Sequence, residues 1–302
     1  MILELAIFIV SIAAIVSSTD FISKSFSNIT QSLGISEYIS STIILSFVIS
    51  LPIFLLMFFS DMFHITTFGV NIIIGFSIAM ITIVMGVFLL KNEVAVEQER
   101  FRNTTFMWAS SILFFVVILN NMIDRLDAIF LLSLFSFYCL YIYYRTKKSK
   151  EYVYLRIKKT NVLLFIPALI AIAISSFVVV MLILMTPLRY VAPVFLPLVI
   201  LSFALVLPMF DIIKNVFKSA ELTFDNLIGN VVVTLTFIPG IIALYRPIPF
   251  LVGTQVFLSL ILLNLICLTF AVMTRFKKTI GRGTGIFLIV TYFLFAILVN
   301  FI

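Results

Sequence analysis

Ser41-Thr42-Ile43-Ile44-Leu45-Ser46-Phe47-Val48-Ile49-Ser50-Leu51-Pro52-Ile53-Phe54-Leu55-Leu56-Met57-Phe58-Phe59-Ser60 is an apolar stretch of helix length with a Ser-Leu-Pro step near its middle. Proline lacks the N–H that would bond one turn back, and its ring crowds that turn. A membrane-crossing helix that carries one is therefore expected to kink or break and to expose carbonyls. In hydrocarbon such a break is tolerated only where it is buried or lines a cavity. The same device returns as Val206-Leu207-Pro208, 156 residues further on in a chain of 302. One broken helix in each half is the pattern of a transporter built from repeats.

Composition agrees with a membrane reading. Hydrophobic residues make up 63% of the chain and charged ones 11%, and the mean hydropathy is +1.27. That leaves too few polar groups to cover a water-soluble globule. The apolar run from Met1 to Val16 carries Glu4 where a secretory leader would carry positive charge, so it reads as part of the first helix. The two cysteines, Cys139 and Cys267, lie inside apolar runs, as packed thiols do. The net charge of +7 is the kind that membrane proteins place in loops, and it gives no ground for a nucleic-acid partner.

Runs long enough to cross about 30 Å of hydrocarbon fall near 2–18, 38–60, 66–90, 104–121, 127–144, 162–186, 191–215, 227–245, 249–273 and 284–302. The expectation is an all-α polytopic membrane protein of ten helices, with the fourth fraying at Asn120-Asn121 and the eighth interrupted at Pro239-Gly240. Of the 20 Lys and Arg residues, all but Arg125, Arg189 and Arg246 fall in the gaps after odd-numbered helices. By the positive-inside rule those gaps face the cytoplasm and both termini lie outside it, which suits a multi-pass protein of the cell membrane. Division at the basic run from Arg145 to Lys159 gives a five-helix repeat over 1–144, a linker over 145–160 and a second repeat over 161–302. An odd number of helices per repeat inverts one repeat relative to the other, so the proline-bearing helices enter from opposite faces and meet near the midplane. Tyr138, Tyr141, Tyr143 and Tyr144 read as an interfacial aromatic belt.

This pattern resembles the cation/calcium exchanger family typified by sodium/calcium exchangers, whose ten helices form two inverted fives. The family carries G-T-S-x-P-E on helices two and seven and G-N-x-x-G-S on helices three and eight. Here the first motif reads Val48-Ile49-Ser50-Leu51-Pro52-Ile53 and its repeat Ala204-Leu205-Val206-Leu207-Pro208-Met209. The second reads Gly229-Asn230-Val231-Val232-Val233-Thr234 on helix eight and Asn71-Ile72-Ile73-Ile74-Gly75-Phe76 on helix three. The resemblance implies that Ile53 and Met209 stand where the family has glutamate, and that Met80 and Ile238 stand where it has Asn or Asp. Calcium takes six to eight oxygen ligands, carboxylates prominent among them, and these four side chains supply none.

The polar remnants at that depth are Ser50, Ser77, Asn230, Thr234 and Thr236, together with the carbonyls released by Pro52, Pro208 and Pro239. They suit a monovalent cation, a proton or a neutral solute, and equally serve to bond helices together. Asp211, three residues after Pro208, reads as the one deep carboxylate, either a proton or cation site or a helix end paired with Lys214 and Lys218. Asp20, Asp61, Asp124 and Asp127 fall at helix ends, and His64, the single histidine, has no second imidazole to join it at a metal. No phosphate-binding glycine loop and no H-E-x-x-H helix is present, so neither an enzyme nor a cofactor is indicated. Two functions follow. One is a transport-silent or strongly altered relative acting as a membrane-embedded subunit or scaffold beside partner subunits; the other is a secondary cation antiporter working through hydroxyls, carbonyls and Asp211.

Overall fold

The computed structural model describes residues 2–32, 36–147, 165–185, 193–215 and 219–301. Among them, ten helices are long and apolar enough to cross a membrane: α1 (Leu3–Ser25), α2 (Ser40–Met62), α3 (Thr66–Lys91), α4 (Gln98–Ile118), α5 (Arg125–Thr146), α6 (Phe165–Met185), α7 (Leu196–Lys214), α8 (Ala220–Tyr245), α9 (Thr254–Phe276) and α10 (Arg282–Asn300). The first helical stretch continues past α1 to Ser32. Most of the basic linker lies outside the described residues.

Two short antiparallel ribbons fix the alternation of the spans. β1 (Val94–Ala95), after α3, pairs with β4 (Thr279–Ile280), after α9. β2 (Met122–Ile123), after α4, pairs with β3 (Ile248–Pro249), after α8. Odd gaps thus meet odd gaps and even gaps meet even ones, as ten complete crossings require. Each ribbon is also what the other becomes when the repeats are exchanged.

The packing has the same inverted twofold symmetry. α1 lies against α6 and α4 against α9, while α1–α7 mirrors α6–α2 and α3–α10 mirrors α8–α5. Glycines set the register. A Cβ on Gly75 would collide with the Leu198 carbonyl and the Ser202 hydroxyl, and one on Gly229 with the Thr42 carbonyl and the Ser46 hydroxyl. Gly86 against α10 and Gly240 against α5 repeat the relation at the same spacing of 154 residues. Small residues are what allow helix backbones to approach this closely in a membrane. α3 and α8, which carry these glycines, form the buried centre, while α1, α5 and α10 spend most of their surface on lipid.

The expected breaks at proline do not occur. α-Helix runs unbroken from Leu45 to Met62 through Pro52 and from Ser202 to Asn215 through Pro208. Proline deletes one backbone bond, and packed neighbours in a bundle hold the helix across that loss. Irregular hydrogen bonding sits elsewhere, in π turns that open α2 and α7 (Ser40–Ile44, Leu196–Leu201) and interrupt α3 and α8 (Met80–Val84, Val233–Phe237). These turns too come in symmetric pairs.

Other expectations are also revised. Pro239 and Gly240 do not interrupt α8, which runs through both from Ile238 to Tyr245 directly after the π turn. α8 also begins seven residues early, at Ala220. There Ser219 accepts the Leu222 N–H at 3.2 Å as an N-cap, and Glu221 favours the first turn. Of the tyrosine belt only Tyr143 and Tyr144 face outward; Tyr138 is fully buried, and Tyr141 turns its hydroxyl to the Glu99 carbonyl at 3.2 Å.

Candidate site at the crossing of the repeats

The proline-bearing part of α2 meets the π turn of α8 in the middle of the molecule. Ser50 Oγ lies 3.3 Å from Thr234 Oγ1, both side chains buried, so two remnants 184 residues apart are in contact. One turn along α8, Asn230 Nδ2 donates at 3.0 Å to the Asn226 carbonyl and at 3.0 Å to Asn226 Oδ1. Asn226 Nδ2 in turn donates to the Ser41 carbonyl and, at 3.2 Å, to Ser46 Oγ. This chain of amides and hydroxyls fastens α8 to the opening π turn of α2. Asn230 Oδ1 is buried without a partner.

The other remnants do not join them. Ser77 Oγ donates to the Ile73 carbonyl at 2.8 Å and Thr236 Oγ1 to the Val232 carbonyl at 2.6 Å, each within its own helix. Pro52 and Pro208 are buried inside continuous helices. Ile53, Met80 and Met209 have no exposed surface and Ile238 has 1%, and all four belong to the main apolar core. The glycine register adds a correction: at a spacing of 154 residues the symmetry mate of Thr234 is Met80 and that of Ile238 is Val84, so Met80 and Ile238 are not mates. A lateral cavity of about 330 Å³ between α2 and α8 touches Ser50 and is otherwise walled by apolar side chains such as Phe47, Phe54 and Phe237.

Asp211 is not deep. Its side chain is 48% exposed and pairs with Lys24 on α1, which also holds Asp20 at 2.7 Å. Among the described residues the buried carboxylates are Asp225, 1% exposed, and Asp61, 6% exposed with Oδ1 unpartnered. Asp225 was missed because its segment read as a loop. Its carboxylate accepts from Asn103 Nδ2 at 2.6 Å and lies 3.4 Å from Arg145 Nη1. Asn103 Nδ2 also donates to Tyr38 Oη at 2.9 Å, and Arg145 stacks on the Tyr38 ring at 4.1 Å while its Nε meets Glu99 at 2.6 Å. Burial pushes the Tyr38 phenol above its ordinary range, so it stays protonated. The available signal was the spacing Asp225-x-x-x-Gly229, which repeats Asn71-x-x-x-Gly75.

Chemically, the crossing offers two hydroxyls already bonded to each other and one free amide oxygen, set among aliphatic side chains. That is a helix-fastening arrangement with few donors to spare for an ion. Among the described residues no three His, Cys, Asp or Glu side chains gather at one metal site.

The comparisons with known proteins agree with this architecture. The family model described as sodium/calcium exchanger protein matches residues 3–144. The crystal structure of the H+/Ca2+ exchanger CAX superposes with a TM-score of 0.76 at 18% identity, over 98% of this chain and 85% of that one. Structures of the sodium-calcium exchanger NCX_Mj give 0.69 and 0.70 at 17% identity, over 97% of both chains. No curated protein matches by sequence. With the family model matching residues 3–144 and the solved structures matching nearly the whole length, this chain has the cation/calcium exchanger fold, ten membrane helices consistent with two inverted repeats.

Proposed function

We propose that the chain is a membrane-embedded exchanger relative that has given up calcium exchange and acts as a subunit or scaffold in the cell membrane, both termini outside the cytoplasm. The observation that carries this is that Ile53, Met80, Met209 and Ile238, which stand where the resemblance implies ligands, are apolar and buried, with at most 1% exposure each. Such side chains offer a cation no oxygen ligand. Placement of the termini rests on the distribution of Lys and Arg between odd and even gaps.

Flux in sealed proteoliposomes tests it. Calcium, sodium and proton movements are followed under imposed gradients, with an H+/Ca2+ exchanger run in parallel. The expected result is no coupled flux while the control is active, and saturable coupled flux overturns the proposal. The antiporter reading draws on the Ser50–Thr234 hydroxyls and the free oxygen of Asn230. Asp211 adds little to it, being half exposed and paired with Lys24.

A further inference from the structure

The lateral cavity between α2 and α8 runs lengthwise along the two helices. Phe47, Leu51 and Phe54 of α2 face Phe237 and Ile241 of α8 across it, with Ser50 behind them. Residues four and seven apart share a helix face, and seven residues at about 1.5 Å each make a slot about 10 Å long. Its volume of about 330 Å³ falls within the range of ligand sites, about 300–1,000 Å³. Phe47 and Phe237 have ring centroids 4.5 Å apart, and Phe135 of α5 lies 5.4 and 5.2 Å from them, which joins the wall of the slot to α5.

All the described lining residues lie within the spans Ser40–Met62 and Ala220–Tyr245. Val233 and Ile238 among them are buried. Phe47, Leu51, Phe54 and Phe237 are half-buried and Ile241 is exposed, so the slot has a closed floor and an open rim. At hydrocarbon depth such a rim meets lipid chains and not water. Ser50 is the one polar side chain among the described lining residues, and its hydroxyl is taken up with Thr234 Oγ1 at 3.3 Å. A water molecule needs about two to four polar partners, and a cavity with an apolar lining stays dry while taking up apolar molecules. Left empty, it would cost its lining the dispersion contacts on one side.

A hydrocarbon chain meets each of these conditions. It is narrow, lies lengthwise beside membrane helices, carries no group that needs a hydrogen-bond partner, and is the material already present at the rim. Ser50 is near the middle of α2, the level at which the chains of a bilayer end. We infer that the slot between α2 and α8 binds one acyl chain of a membrane lipid, its end seated against Ser50 and Val233. Both helices run from an odd gap to an even one, and Phe54 and Ile241 lie toward their even ends. The chain therefore enters from the leaflet on the side of the β2–β3 ribbon. The site stands whether or not the crossing conducts, because it is filled from the bilayer and not from water.

Phosphatidylcholine with a diazirine at the end of one acyl chain serves as the probe. The protein is irradiated in nanodiscs of this lipid, and the labelled residues are read by mass spectrometry. Label is expected on Ser50 and Val233, which are 2% and 0% exposed, as well as on Phe137 of α5, which meets lipid directly. Leu51→Trp, which fills the slot, should remove the label from Ser50 and Val233 and leave that on Phe137. Ile241→Trp, at the exposed rim, decides the matter in the same way if Leu51→Trp does not fold. Label confined to outward-facing residues such as Phe137 and Ile241, or label on Ser50 and Val233 that persists in a filled variant, overturns the site. Because labelling is read without any gradient, its failure is distinct from the outcome of the flux experiment.

Discussion

The two ends of the molecule hold the same backbone position with opposite chemistry. At one, Asp225 sits before Gly229 and is bonded to Asn103 on α4, with Arg145 of α5 beside it and Tyr38 at the entry to α2. At the other, Asn71 sits before Gly75, fully buried, with neither side-chain nitrogen nor oxygen partnered. Helix positions are symmetric to the residue, as the glycine contacts show, and the side chains are not. The inverted repeat thus determines where each helix lies, while a single carboxylate against a single amide determines which end carries the polar network. A charge buried at this depth persists only with a partner, so Asp225 requires Arg145, whereas the neutral Asn71 imposes no such demand.

The strongest test of this contrast removes Arg145. Arg145→Gln should cost about 3–5 kcal/mol, since it strands a buried carboxylate, and the loss should appear as a large fall in the thermal midpoint of the purified protein. Adding Asp225→Asn, which converts that end to the chemistry of Asn71, should recover most of it. A single variant as stable as the wild type would mean that Asp225 is satisfied without Arg145 and that this end is not held by charge.

A smaller effect sharpens the symmetric half of the comparison. Gly75→Ala and Gly229→Ala each push a methyl group into a backbone carbonyl, and overpacking of this kind costs about 1–3 kcal/mol. The two losses should agree closely when unfolding is followed in one detergent. Gly253→Ala, with open space around its Cβ position, provides the comparison that should leave stability nearly unchanged. Unequal losses at Gly75 and Gly229 would break the register that pairs Asn71 with Asp225.

Much of this architecture was legible in the chain because it depends on sums over many residues. Span length, the spacing of the two Leu-Pro steps and the distribution of basic residues between alternate gaps all survive errors at single positions, and the ribbons confirm the alternation they imply. What depends on one side chain was read less well. Pro52 and Pro208 promised breaks that neighbouring helices absorb. Asp211, three residues after Pro208, read as deep, yet Lys24 of α1 meets it at a half-exposed site. Asp225 and Arg145 were assigned to loops because charge lowers the hydropathy of a window, and hydropathy cannot see that two charges 80 residues apart neutralise each other. Ser50 and Thr234 were placed at one depth by the repeat argument, and they are in contact.

That contact yields the smallest and most discriminating effect. Ser50 Oγ and Thr234 Oγ1 are 3.3 Å apart, a long hydroxyl pair in a region free of charge. Hydrogen bonds between membrane helices average about 0.6 kcal/mol by double-mutant cycle, so Ser50→Ala and Thr234→Val should each destabilise slightly and show a coupling of that order. If the hydroxyls fasten α2 to α8, the coupling should be independent of sodium or calcium in the buffer. If they instead hold an ion, each variant should remove a cation-dependent gain in stability, since a ligand that binds only the folded state stabilises it by mass action. A coupling without cation dependence places the pair with Asn226 and Ser46 among the bonds that join the repeats. A cation-dependent coupling would return the crossing to the transporters, with two hydroxyls and the Asn230 oxygen as its ligands.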